Sequence, residues 1–120
     1  MALTHLACTK CEKTYETGRV LNVCNCGAPL FARYDLSAAS RDMRPGHLAL
    51  REKTLWRYTE VLPVDNPEHR LSLGEGMTPL LETPALGRAI GLPKALVKDE
   101  AGNPTGSFKA RGLALAVSMA

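Results

Sequence analysis

Past Cys26 the sequence has no cysteine, and nowhere does it have an apolar run close to the roughly 20 residues that cross a bilayer. The longest stretches, such as Leu113 to Val117, are far shorter, and Arg33, Arg51, Lys53 and Arg57 interrupt the rest. A membrane-spanning segment and a membrane partner are therefore not expected. Aromatics are scarce, with one Trp, three Tyr and two Phe, mostly away from the basic residues, so no stacking platform for single-stranded nucleic acid is evident. An excess of one charge is missing too. Fifteen Lys+Arg against twelve Asp+Glu leave +3, scattered rather than gathered in a stripe, which disfavours nucleic acid as a partner. The first residues, Met1 to Cys8, have neither a basic stretch ahead of a long apolar core nor Arg/Ser-rich amphipathic character. No leader is readable there, and a cytoplasmic location is expected. With 45% hydrophobic and 22% charged residues the composition is that of a globular protein, and 120 residues allow one small domain or two incomplete pieces.

All four cysteines lie near the start: Cys8 and Cys11 as Cys-x2-Cys, twelve intervening residues, then Cys24 and Cys26 as Cys-x-Cys. A close pair puts two thiolates on one tight turn, and two such turns can supply the tetrahedral sulfur set that zinc prefers. Gly18 and Gly27 permit the positive φ of hairpin and knuckle turns, and Arg19 to Val23 and Leu30 to Tyr34 read as short strands. The expectation is a zinc ribbon from about Leu6 to Tyr34, with a structural zinc that has no open position for chemistry. Two disulfides would need an oxidising compartment, and a Cys-x-x-Cys redox centre would need a surrounding βαβ pattern, so both rank below metal. His5 is left out of the ligand set, because four cysteines complete it.

Ser37 to Arg44 has helix-compatible composition, with Ser37 as N-cap and Pro45-Gly46 as the stop. Leu48 to Tyr58 suits a short amphipathic segment in which Trp56 is an anchor rather than a ligand contact. Residues 63–67 read as loop. Pro84 to Ile90 reads as a helix with Pro84 in its first turn and Gly91 past its end, Ala95 to Lys98 as a strand, and Phe108 to Ala120 as the best-defined helix. Strand, loop and helix make half of an α/β unit of a parallel sheet, so the sequence reads as a piece of a longer protein. The organisation expected is a zinc-ribbon-like module over 1–36, a connector over 37–70 and the start of a catalytic domain over 71–120, with a domain boundary near Asp35 to Pro45.

Asn103 to Gly112, Asn-Pro-Thr-Gly-Ser-Phe-Lys-Ala-Arg-Gly, superficially resembles a phosphate loop. It departs from that motif twice: Gly102 and Gly106 enclose three residues instead of four, and Ser107-Phe108 separates Gly106 from the lysine. What it offers instead is Lys109 in the first turn of a helix, where the positive end of the helix dipole and Arg111 both work against an ammonium ion. A neutral amine is the form that attacks an aldehyde, and Phe108 can supply an apolar wall beside it. On placement alone, Lys109 reads first as one more exposed lysine near a helix start.

The segment nevertheless resembles the lysine segment of the pyridoxal phosphate enzymes of the tryptophan synthase β family, fold type II, in a form close to that of threonine synthases. Leu73 to Leu80, Leu-Gly-Glu-Gly-Met-Thr-Pro-Leu, is similar to a segment that precedes it in the same enzymes, and Leu55 to Tyr58 with an N-terminal cysteine ribbon is similar to one subgroup. The resemblance implies an α/β fold: an N-terminal zinc ribbon followed by the incomplete start of a fold type II domain. It implies Lys109 as the lysine that forms a Schiff base with pyridoxal 5'-phosphate and acts as general base and acid, with Phe108 and Ser107 next to the cofactor. The implied reaction converts O-phosphohomoserine and water to threonine and phosphate in a longer protein, which the family makes a possible homodimer, and these 120 residues alone are expected to be inactive. Ala110 stands where many threonine synthases carry an acidic residue, so a sister enzyme such as a threonine ammonia-lyase or cysteate synthase stays open. So does a zinc module that binds nucleic acid or protein.

Overall fold

In a computed structural model, residues 2–19 and 21–120 are described, and they form two compact units. The first comprises residues 2–51 and 58–65, the second residues 52–57 and 66–120. The expected strand over Arg19 to Val23 includes Val20, which lies outside the described residues; of the rest, Val23 makes an isolated antiparallel bridge to Pro29. No helix among the described residues is long and apolar enough to cross a membrane.

The first unit is built on a three-stranded antiparallel sheet of β1 (Leu3–Cys8), β2 (Thr14–Tyr15) and β3 (Leu30–Tyr34) in the order β2-β1-β3. Leu6 pairs with Tyr15 on one side of β1 and with Ala32 on the other, and a register shift lies between Leu3 and His5. Two helices follow, α1 (Leu36–Asp42) and α2 (Pro45–Leu50). One expectation fails here. The cap of α1 is Asp35 and not Ser37: the Asp35 carboxylate accepts from the Ala38 N–H at 2.8 Å, satisfying one of the first-turn donors. α1 ends at Asp42, just ahead of Pro45 as expected, and Pro45 goes on to begin α2 as its first residue, where a missing N–H costs nothing. The amphipathic stretch expected from Leu48 to Tyr58 is likewise divided between the end of α2 and a 3₁₀ segment, Leu55–Val61, interrupted at Tyr58. Arg51 pairs bidentately with Glu60, at 2.8 and 2.5 Å, and holds that carboxyl below its usual range. The buried apolar side chains of this unit are small: Ala2, Ala7, Cys8, Cys24, Ala39 and Val64.

In the second unit Trp56 is 3% exposed, and its indole N–H donates to the Leu71 carbonyl at 2.9 Å, so it is an anchor as expected. β4 (Leu80–Glu82) and β5 (Leu96–Lys98) pair antiparallel and flank α3 (Pro84–Ile90), which ends at Gly91 with φ +73°. β4 and β5 are antiparallel because α3 is short and the chain returns directly beside β4; the parallel sheet expected from β5, the loop and the helix after it would need a strand after that helix. A 3₁₀ turn, Glu100–Gly102, leads through the loop to α4 (Lys109–Met119).

Candidate functional site

Two side-chain clusters stand out, one in each unit. In the first, the ends of β1 and the turn after it place Cys8 and Cys11, while a turn closed by Cys24 N–H to Ala28 carbonyl (2.9 Å) and Gly27 N–H to Cys24 carbonyl (2.8 Å) places Cys24 and Cys26. Gly27 has φ +82°, which its lack of a Cβ allows. The four Sγ atoms all lie within 4.8 Å of one another. Cys8 and Cys26 approach to 3.5 Å and Cys11 and Cys24 to 3.6 Å, well beyond the ~2.05 Å of a disulfide. Four sulfurs about 2.3 Å from a central metal would be about 3.8 Å apart, so the donor set fits a tetrahedral ion.

The electrostatics of the cluster point the same way. The Cys11 and Lys10 backbone N–H groups, at 3.4 and 3.3 Å from the Cys8 sulfur, lower the Cys8 thiol. Cys24 is lowered to about 6, first by the Cys26 backbone N–H and then by the Tyr15 hydroxyl. Cys26 is pushed up to about 12: its Ala28 N–H lowers it, but the Cys24 and Cys8 sulfurs outweigh that. Cys11, despite a lowering contact from the Lys13 backbone, is raised by its sulfur neighbours as well. Four thiolates so close together repel, and a cation among them removes that repulsion.

The second cluster surrounds the start of α4. Lys109 is the first residue of that helix and is exposed; among the described residues its side chain makes no hydrogen bond or ion pair, while its backbone N–H donates to Ser107 Oγ at 3.4 Å. Phe108 is 66% exposed and Ser107 half-buried, and the three consecutive residues lie at the turn that opens α4. An accessible lysine side chain at this turn suits attachment of an aldehyde cofactor.

Beneath this turn lies a network the sequence reading did not find. Arg111 donates from Nε and Nη2 to the two oxygens of Glu100, at 2.7 and 2.8 Å, and from Nη2 to Thr78 Oγ1 at 3.1 Å. Thr78 in turn donates to Glu100, and Lys98 donates to the Thr78 carbonyl. Asn103, 4% exposed, accepts from the Gly76 N–H at 3.2 Å and donates to Glu100 Oε2 at 2.9 Å. Arg111 first, then Thr78, hold the Glu100 carboxyl down at about 2. The Arg111 charge that the sequence sets against Lys109 is therefore compensated by Glu100. Gly76 has φ +118°, and a Cβ there would meet the Leu55 nitrogen at 3.1 Å. Glu75 is 1% exposed; its Oε2 accepts from the Leu73 N–H at 2.9 Å, and its Oε1 is buried with no hydrogen-bond partner among the described residues. The segment Leu73 to Leu80 and the lysine segment, linked in sequence only by resemblance, are thus joined by Thr78, Gly76, Glu100, Asn103 and Arg111.

The family model described as pyridoxal-phosphate dependent enzyme matches residues 71–120, the stretch that contains this network and Lys109. Residues 71–120 belong to that family. Over 113 residues, 94% of its length, the chain is 40% identical to a threonine synthase of Methanocaldococcus jannaschii, and over 117 residues, 97% of its length, 37% identical to one of Methanosarcina acetivorans. It spans 28% of the length of each. A 2-amino-4-ketopentanoate thiolase beta subunit of Acetoanaerobium sticklandii is 39% identical over 79 residues, 60% of this chain and 17% of that one. No solved structure matches the chain.

Proposed function

We propose that the chain is part of a threonine synthase, a pyridoxal phosphate-dependent lyase that converts O-phosphohomoserine and water to threonine and phosphate. The similarity over 94% of the chain to a threonine synthase carries this reading, because it extends through the cysteine-bearing unit, outside the 71–120 match to the broader enzyme family. Pyridoxal phosphate, when bound, supplies an electron sink for the charge left at the substrate Cα, which lets phosphate leave from Cγ and water add at Cβ. Lys109 Nζ holds the cofactor at rest and carries the substrate Cα proton during turnover. Phe108 is the apolar neighbour of the amine, and Ser107 lies beside the cofactor. Glu100, Arg111, Thr78 and Asn103 are positioning residues that fix the turn bearing Lys109. The four cysteines hold a structural zinc that closes the first unit, whose own apolar core is too small to do so. The setting is cytoplasmic, the substrate a small amino acid, and the 120 residues alone make no threonine.

The test uses the longer protein that contains this chain. Borohydride reduction after loading with pyridoxal phosphate should fix the cofactor on Lys109, Lys109→Ala should abolish both the adduct and phosphate release from O-phosphohomoserine, and an adduct elsewhere would overturn the assignment. A sister enzyme is the second reading, favoured by the thiolase subunit match. Cofactor fixed on Lys109 without phosphate release would select it.

A further inference from the structure

Tyr15 has a place in the first unit that its role in the sheet does not require. It is one of the two residues of β2, paired with Leu6, and its ring lies beneath the Lys13 ammonium at 5.5 Å. Its hydroxyl reaches across to the other cysteine turn, 3.0 Å from Cys24 Sγ and 3.1 Å from the Asn25 backbone nitrogen. The Asn25 N–H can only donate, so it takes a lone pair of the phenol oxygen. The single phenol proton is then left for sulfur, and a metal-bound thiolate has no proton to offer in return.

We propose that Tyr15 is the hydrogen-bond donor that tunes the Cys24 thiolate of a four-sulfur metal site. This rests on the reading that Cys8, Cys11, Cys24 and Cys26 hold a metal. Drawing charge from one sulfur lessens repulsion among four thiolates and orients Cys24 toward the ion, the work that outer hydrogen-bond partners do at metal sites. It also ties the Cys24 turn to β2 by a route that does not pass through the metal. The two-residue strand thereby acquires a purpose: it delivers one hydroxyl to one sulfur.

Cobalt(II) reports both levels, because tetrahedral thiolate coordination gives strong visible bands and the sulfur-to-cobalt charge-transfer energy follows the electron richness of the sulfur. The whole 120-residue chain, Tyr15→Phe and Tyr15→Leu are titrated with cobalt against a chromophoric chelator. Tyr15→Phe keeps the ring and loses the proton, and we expect about tenfold weaker binding with the charge-transfer band at longer wavelength. Tyr15→Leu should match that band shift and bind more weakly still. A Tyr15→Phe protein with unchanged affinity, or with weaker binding but an unmoved band, would overturn the donor role and leave ring packing only. A wild-type chain that shows no tetrahedral cobalt bands would instead defeat the four-sulfur reading, and the Tyr15 role with it.

Discussion

The two units solve the same problem, fixing a turn that bears reactive side chains, by opposite means. The first buries little beyond alanine, cysteine and one valine, and brings together four thiols in a set that fits a cation. The second buries Leu55, Trp56 and Ala110 beside Glu75, Thr78, Asn103 and Ser118, and closes its turn with opposite charges, Glu100 and Arg111, already paired at 2.7 Å. On the proposed reading, one arrangement takes its counter-charge from an ion, and the other carries it on the chain. The difference teaches that a cluster of polar groups is read by what balances it. Balanced groups fix geometry, whereas unbalanced ones ask for a ligand.

Chelation should break the comparison most strongly. Binding of structural zinc contributes on the order of 10 kcal/mol in small metal domains, so metal removal should abolish amide protection in β1 and β3 while α4 stays protected, as hydrogen exchange would read. Loss in both units together would show that they do not differ in this way. Gly87→Ala probes the second unit alone. Its Cβ would fall 2.4 Å from the Leu92 carbonyl oxygen, a backbone atom that itself belongs to the turn closing α3, so destabilisation by about 1–3 kcal/mol is expected. Protection of β1 and β3 should not change, and a loss there would count against independent units.

Acid gives the gentlest separation. Glu100 sits at about 2 against an ordinary 4.5, a depressed carboxyl, so its stabilising contribution is full above pH 4.5 and is lost as pH falls toward 2. Protons compete for thiolates well above that range, and a metal-loaded first unit should therefore open first as the solution is acidified. NMR spectra collected between pH 7 and pH 2 would show it; opening of the second unit first would reverse the assignment of what balances each cluster.

How much of this was legible from the sequence depended on how local the cause was. α3 was readable to the residue, since Pro84 and Gly91 mark its ends through their own backbone chemistry. The proximity of the cysteines was readable because turn geometry and pair spacing act over a few residues. Asp35 was missed as a cap because Ser37, two residues later, offers a similar oxygen, and composition does not say which of them has the extended backbone a cap needs. The antiparallel return of β5 beside β4 and the Glu100 network depend on contacts across 11 to 33 residues, which no local pattern encodes. Arg111 was accordingly read as a neighbour of Lys109, and its partner went unseen.

The small side chains at the heart of the first unit have a calorimetric consequence. Heat capacity of unfolding follows the apolar area exposed, and Ala2, Ala7, Ala39 and Val64 expose little of it, so the stability curve of this unit with metal bound is shallow in temperature. Each tenfold change in free metal moves its stability by about 1.4 kcal/mol. On the proposed zinc reading, its melting temperature is then a gauge of metal activity in the surrounding solution more than a fixed property of the polypeptide.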